Sequence, residues 1–500
     1  MQQTLQEIRV DLENTISIAK DAQKKLAQHI TQLQDPSKAF FISTKNILLK
    51  NISVLLESYE QIIVTLTGEL MQSWNSESVP RLLLLKAQSI DNIRSLQGQL
   101  GSALTAVNWQ SPSFGYSNIS QNGIEAKDVK ASMNDYKRDF HTLERKYAKA
   151  FVQEYVDHPW RLRPFAYPTS SGMSAITTAL SVLRPKVKNT DVVLMGRSSY
   201  FQSKWTAEQL YPGQVMYVDE NDTTTILALA DTHKPAIVVF DTISNSPKLP
   251  VINARYLVPA LYSILPSSST LILDNTCLST TYQPMLDLPF SPFGMKLLVV
   301  ESLLKYHQFG LDRVQSGIIW APAGAHGEIF DARMNLGTVL SDIATQTLPS
   351  PNRILLDARL KRMGRNAQLL AELINNALTT TSPVEQVIYP ALPSHPSYAW
   401  TKTMVFHGSF LTLQFKPLYR RALIYDAFIS HVAAQARKQN INLVQGTSFG
   451  FDISRIYVAA RYASKNGTPF VRIAVGTETE VEIVALANVL IEAISYYALV

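Results

Sequence analysis

Between about residues 190 and 322 the chain carries short, nearly continuous apolar runs: DVVLMG, QVMYVD, PAIVVFD, TLILDN, KLLVVES and SGIIWAP, separated by stretches of helical periodicity. Strands that are apolar on both faces cannot border water, so the pattern demands a mostly parallel sheet covered by helices on each side, an α/β layer architecture. In such sheets ligands gather beyond the carboxyl ends of the strands. Asp241, Asp274 and the stretch from Ser302 to Lys305 all fall at or just past strand ends.

Residues 1–110 read differently. Apolar residues recur there at three- and four-residue steps through LQEIRVDLENTISIAKDAQKKLAQHITQL, then from Phe40 to Leu70 and from Leu82 to Val107, with breaks at Asp35-Pro36-Ser37 and Asn75-Ser76-Glu77-Ser78. No strict heptad is sustained, which predicts packed helices rather than a long coiled coil. Their apolar content exceeds what a free, solvated bundle can hide, so they should bury a face against the rest of the chain or another subunit. The polar segment NWQSPSFGYSNISQNG then reads as a linker. Beyond residue 350 come a long helix, PNRILLDARLKRMGRNAQLLAELINNAL, mixed segments FLTLQF, INLVQG and FVRIAVG, and a last helix from Glu478. The predicted organisation is an all-α extension over 1–110, a large α/β domain over 126–345 and a smaller α+β domain over 346–500.

With 46% hydrophobic and 17% charged residues over 500 positions, the composition is that of an ordinary globular chain. The start has no apolar run bounded by a small-residue cleavage site, and the most apolar helical candidate is interrupted by Lys45 and Lys50. A soluble, cytoplasmic protein without membrane association is expected. The single cysteine, Cys277, excludes an internal disulfide framework and a Cys-cluster zinc site, and nine scattered histidines show no ligand spacing. Residues 1–110 hold ten Lys/Arg against ten Asp/Glu, so the net +6 belongs to the remainder, where it forms no basic run. Nucleic-acid binding lacks its electrostatic footprint, whereas a pocket for an anionic cofactor or substrate would account for the mild excess.

Lys305 poses the chemical question. A lone lysine after a strand is ordinarily a snorkelling surface residue. Here it follows LLVVESLL, where desolvation of an ammonium is unfavourable unless something neutralises it. Asp274 ends another apolar strand and needs a cationic partner, which a protonated pyridine nitrogen would be. In TSSGMSAITTALSVL, Ser171, Gly172 and Met173 stand immediately before a helix, where backbone N–H groups can cradle an anion. Alone, Ser-Ser-Gly is an ordinary N-cap. Together, a strand-end lysine, a strand-end aspartate and a helix-start cradle describe a pyridoxal 5'-phosphate site.

The motifs SSGMSAI, DNTCLSTTYQPML, ESLLKYHQFGLDRVQSG, YPALPSHPSY and FVRIAVGTE occur in the order of the signatures of the cystathionine γ-synthase, cystathionine lyase and methionine γ-lyase group. The chain resembles that family of fold-type I pyridoxal phosphate enzymes from about residue 130 to 500. The resemblance implies that Lys305 is the Schiff-base lysine and that Asp274 keeps the pyridine nitrogen protonated. Tyr200 in GRSSYFQS matches the tyrosine that stacks on the ring, Asn245 in DTISNSP an asparagine near the ring hydroxyl, and Ser302 a phosphate-binding serine. Arg472 matches the arginine that takes the substrate α-carboxylate by a bidentate pair, and Ser454 lies in the loop beside that carboxylate. Tyr136 and Arg138 in YKRDFHTLE match a Tyr-x-Arg pair that reaches a neighbouring subunit's phosphate, which implies a homodimer or homotetramer with shared sites.

The chain departs from the family pattern at Leu304, which replaces a threonine, at HQFG, which replaces a Gly-Gly-His segment, and at Ile453, where cystathionine-handling members carry a glutamate. The expected activity is γ-elimination or γ-replacement on an amino acid with a side-chain leaving group, such as an O-acyl-homoserine or a methionine-like compound. Lys305 and Tyr200 are the expected catalytic residues. A β-eliminating C–S lyase is the rival enzyme, and a catalytically idle scaffold is the rival of another class.

Overall fold

In the computed structural model, which describes residues 1–34, 42–106, 141–289, 294–323, 326–460 and 468–497, every one of those apolar runs is a strand of one seven-stranded sheet. Its strands are β1 (Phe165–Thr169), β2 (Val193–Gly196), β3 (Val215–Val218), β4 (Ile237–Asp241), β5 (Thr270–Asp274), β6 (Lys296–Ser302) and β7 (Gly317–Ala321), in the order β1-β7-β6-β5-β4-β2-β3. Strands β2 to β6 pair in parallel, and only β7 runs antiparallel to its neighbours. The expected mostly parallel sheet is therefore present. Along β5, Leu271 and Leu273 enter one core cluster and Ile272 the other, and along β6 Leu297 and Val299 oppose Leu298 and Val300 in the same way. Both faces are dry, which explains why the runs read as continuous. β1 escaped the sequence pattern because Pro168 interrupts it, and it occupies a sheet edge, where a missing ladder donor is tolerated.

A second, five-stranded sheet, β10-β11-β12-β9-β8, is built from β8 (Val384–Ile388), β9 (Phe410–Phe415), β10 (Val444–Gln445), β11 (Arg455–Ala459) and β12 (Phe470–Ala474). It shares its own core with helices Arg353–Ala377, Ala422–Lys438 and Glu480–Tyr497. INLVQG contributes only the two residues of β10, while β8 and β11 mix polar with apolar residues and so carry no unbroken apolar run.

The N-terminal region forms α1 (Gln2–Gln34), α2 (Ile42–Leu70) and α3 (Val79–Thr105). The break before α3 is a short 3-10 turn whose first free N–H groups, on Glu77 and Ser78, donate to Asn75 Oδ1 at 3.1 and 3.2 Å. Ile18, Ala19 and Leu26 of α1 and Ile93, Leu100 and Leu104 of α3 belong to the same core cluster as Leu311, Leu340 and Leu348 of the α/β body. Polar side chains complete the seam by capping backbone carbonyls. Arg94 donates to Leu311 O at 2.9 Å, Gln97 to Thr347 O at 2.5 Å and Lys25 to Leu348 O at 2.9 Å. The layer's apolar face thus lies against the catalytic body. Deleting residues 1–110 should expose that face and cause aggregation; size-exclusion chromatography that shows an unaltered, fully active protein would contradict this.

Candidate active site

Three strand ends and one helix start converge. β1 leads into Ser170 and Ser171, and Ser171 is the N-cap of helix Gly172–Leu183, its hydroxyl accepting from Ser174 N at 2.9 Å. The N–H groups of Gly172 and Met173 lie in the first turn, which has no intrahelical acceptors for them. A Cβ on Gly172 would stand 2.7 Å from Ser302 Cβ, so the helix start can rest on the end of β6 only with glycine there. Ser302 N donates to Thr276 Oγ1 at 2.9 Å, and Thr276 N donates to Asp274 Oδ1 at 3.0 Å. Thr276 therefore ties the ends of β5 and β6 to one another.

Asp241 and Asp274 are register partners at the ends of β4 and β5. Burial raises the pKa of both, and the charge of Asp274 raises that of Asp241 further. Hydrogen bonds from Thr276 and the more distant Lys305 only partly offset this at Asp274. Two neighbouring carboxyl groups of this kind favour either a shared proton or an added cation. Asp241 accepts from Tyr200 N at 2.9 Å and so positions that tyrosine. Burial also raises the pKa of Tyr200, which keeps the phenol protonated at neutral pH and able to donate.

Lys305 lies in the turn after β6. Its Nζ donates to Ser448 Oγ at 2.6 Å and stands 5.3 Å from the centre of the Phe449 ring. Burial, followed by the nearby charge of Arg472, pulls its pKa down to about 8. An exposed lysine titrates near 10.4, so a much larger share of this amine is neutral and nucleophilic at physiological pH. The loop carrying Ser448 is pressed against the turn. A Cβ on Gly450, whose φ is +93°, would collide with the Lys305 carbonyl oxygen. The HQFG departure has a structural use here. His307 Nε2 lies 3.0 Å from Glu301 Oε2, Trp320 Nε1 donates to Glu301 Oε1 at 3.0 Å, and Gln308 Nε2 donates to Val314 O at 2.8 Å. His307 and Gln308 hold the Lys305 turn from its buried side.

Arg472, on β12, is 2% exposed and closes the site from the second sheet. It donates from Nη1 to Asn245 Oδ1 at 2.7 Å and from Nη2 to Ser448 O at 3.1 Å, while its buried Nε has no partner. Asn245 thus meets the arginine. Ser454 is fully buried; its hydroxyl accepts from Gly476 N at 3.2 Å and its N–H donates to Glu478, whose carboxyl burial pushes up to about 7. Tyr136 and Arg138 lie outside the described residues. Ser448, Thr276 and the positioning role of Asp241 escaped sequence reading. Ser448 was hidden because a serine at φ +74° carries no mark in a sequence, although the surrounding Gly-Thr-Ser-Phe-Gly composition signals a tight loop.

Residues 96–487 match the profile of the Cys/Met metabolism PLP-dependent enzymes. The chain belongs to this family. Bifunctional enzyme flvA of Aspergillus flavus is 25% identical over 336 residues, 66% of this chain and 39% of that protein. A cystathionine gamma-lyase of Dictyostelium discoideum is 27% identical over 240 residues, 47% of this chain and 56% of that protein. This chain thus spans about half or less of the length of these curated relatives. Among solved structures, cystathionine gamma synthase from Xanthomonas oryzae, in complex with cystathionine, superposes with a TM-score of 0.58 at 22% identity, covering 77% of this chain and 90% of that one. An apo methionine gamma lyase from Micromonospora echinospora gives 0.56 at 21% identity, covering 72% and 88%. These likenesses, over about three-quarters of the chain, establish the fold with its mostly parallel sheet and smaller second sheet.

The residues fit the family's pyridoxal phosphate. The free N–H groups of the helix start at Gly172 and Met173, packed on Ser302, would receive the phosphate, the buried carboxyl of Asp274 would meet the pyridine nitrogen, and Lys305 offers a partly neutral amine for the covalent link.

Proposed function

We propose that the chain catalyses γ-elimination or γ-replacement on an amino acid whose side chain carries a leaving group, an O-acyl-homoserine or a methionine-like compound. The observation that carries this reading is the desolvated Lys305 amine, bonded to Ser448 and set beside Arg472, with Asp274 at the neighbouring strand end. The γ-chemistry of the relatives and the family membership support it. Pyridoxal phosphate, when bound, supplies the electron sink that lets a Cα–H bond ionise. Arg472 would anchor the α-carboxylate through its unpartnered Nε edge, orienting the Cα–H toward Lys305. With a pKa near 8, the Lys305 amine can take the Cα proton, give it up again and, once neutral, take a Cβ proton. Tyr200, protonated, would assist the leaving group.

A screen of O-acyl-homoserines, methionine, cystathionine and cysteine for release of 2-oxo acid or ammonia tests the reading. 2-Oxobutyrate from the four-carbon substrates is expected; a preference for cysteine with release of pyruvate would make the chain a β-eliminating lyase. Ile453 sharpens the expectation. An isoleucine offers no acceptor to the distal ammonium of cystathionine, and leaving that group unpaired costs about 1–3 kcal/mol. Cystathionine should therefore have a lower kcat/KM than an O-acyl-homoserine, and a preference for cystathionine would contradict the role given to Ile453.

A further inference from the structure

The N-terminal helical layer is joined to the Lys305 site by a continuous line of buried polar contacts. Lys86 of α3 is 7% exposed, and its Nζ lies 2.8 Å from Asp11 Oδ2 of α1. Burial lowers its pKa, but Asp11, Glu482 and Asp452 outweigh that and raise it, so the group stays an ammonium. The same nitrogen donates to Thr477 O at 3.3 Å. It thereby meets the middle one of three consecutive carbonyls, since Asn366 Nδ2 of helix Arg353–Ala377 donates to Gly476 O at 3.0 Å and to Glu478 O at 2.8 Å.

Thr477 passes the constraint to the loop that carries Ser448. Its N–H donates to Asp452 O at 3.2 Å and its hydroxyl to Asp452 Oδ1 at 3.0 Å, where Arg359 Nη1 also donates at 2.7 Å. Arg359 Nη2 reaches Gly450 O at 3.3 Å. Asp452 is therefore fixed through its backbone and its side chain, and its other oxygen, Oδ2, bears on the Lys305 turn, where a Cβ on Gly310 would collide with it. Gly450 packs on the Lys305 carbonyl in the same manner, and Ser448 Oγ accepts from Lys305 Nζ at 2.6 Å. In a buried polar network each member holds its place only while its donors hold theirs.

We propose that Lys86 is a positioning residue: through Thr477 and Asp452 it fixes the Ser448 loop against the Lys305 turn, so that the helical layer sets the geometry of the reacting amine without touching substrate. The catalytic consequence rests on the role proposed for Lys305; the mechanical link does not.

Two variants of the holoenzyme break the line at different points. Asp11→Leu/Lys86→Met removes both members of the buried pair and so leaves no unpaired charge between them, while Arg362 keeps Glu7 at 3.6 Å. Thr477→Val removes one hydroxyl, keeps the backbone contacts, and decides alone should the double variant not fold. Hydrogen exchange followed by mass spectrometry reads the link without turnover. In the 305–312 peptide, Phe309 N and Leu311 N are bonded to Tyr306 O and Gln308 O. Both variants should exchange this peptide and the 448–454 peptide about tenfold faster than wild type, while β4 and β5 keep their rates. Acceleration confined to residues 475–479, or spread evenly over the chain as in a global loss of stability, overturns the proposal. On the best substrate of the screen, kcat should fall about tenfold with KM held within about twofold, because the amine is misplaced while Arg472 retains Asn245. An unchanged kcat, or a loss carried by KM, overturns it as well. Local loosening of the 305–312 turn in the variants of a protein that turns over no γ-substituted substrate would refute the γ-chemistry and leave the positioning link standing.

Discussion

Lys305→Ala is expected to abolish turnover. The pKa of the amine has been brought into the physiological range, near 8, and its position is fixed by Ser448 on one side and by the His307–Glu301–Trp320 contacts on the other. Proton transfer by a positioned side chain contributes about 10²–10⁴-fold, and the variant would lose the covalent hold on the cofactor as well. Residual activity within tenfold of wild type, measured on the best substrate of the screen, would exclude Lys305 from the chemistry. The variant should remain folded, because the Ser448 and Phe449 loop is also held by the packing of Gly450 on the Lys305 backbone, which alanine keeps.

Arg472→Lys carries the second large effect. The guanidinium spans Asn245 Oδ1 and Ser448 O and packs 4.7 Å from the Tyr457 ring and 5.1 Å from Phe410, a planar setting that an ammonium cannot reproduce. Losing a bidentate, charge-assisted pair to the substrate carboxylate should cost about 2–3 kcal/mol, or roughly 30- to 150-fold in substrate affinity. Substrate KM and cofactor affinity, measured separately, decide the matter. A loss confined to cofactor affinity would make Arg472 a phosphate ligand instead.

What the sequence disclosed and what it hid divide along physical lines. The central strands were legible because burial on both faces writes an unbroken apolar run, as in TLILD and KLLVV. β1 and β8 were not, since Pro168 interrupts one and Glu385 and Gln386 make the other half polar. Lys305, Asp274 and Ser302 were legible because strand ends in a parallel sheet are where ligands gather, so a charged or hydroxyl residue there stands out. The pairing of Arg472 with Asn245 spans 227 residues and depends on how the second sheet docks, which no local pattern encodes.

The most direct test of the central claim is chemical. The protein reconstituted with pyridoxal phosphate is reduced with borohydride, digested, and its pyridoxyl-bearing peptide sequenced by mass spectrometry. A single adduct on Lys305 is the predicted result. An adduct on a different lysine, or none while Lys305 is recovered unmodified, would contradict the assignment of Lys305 as the residue that holds the cofactor.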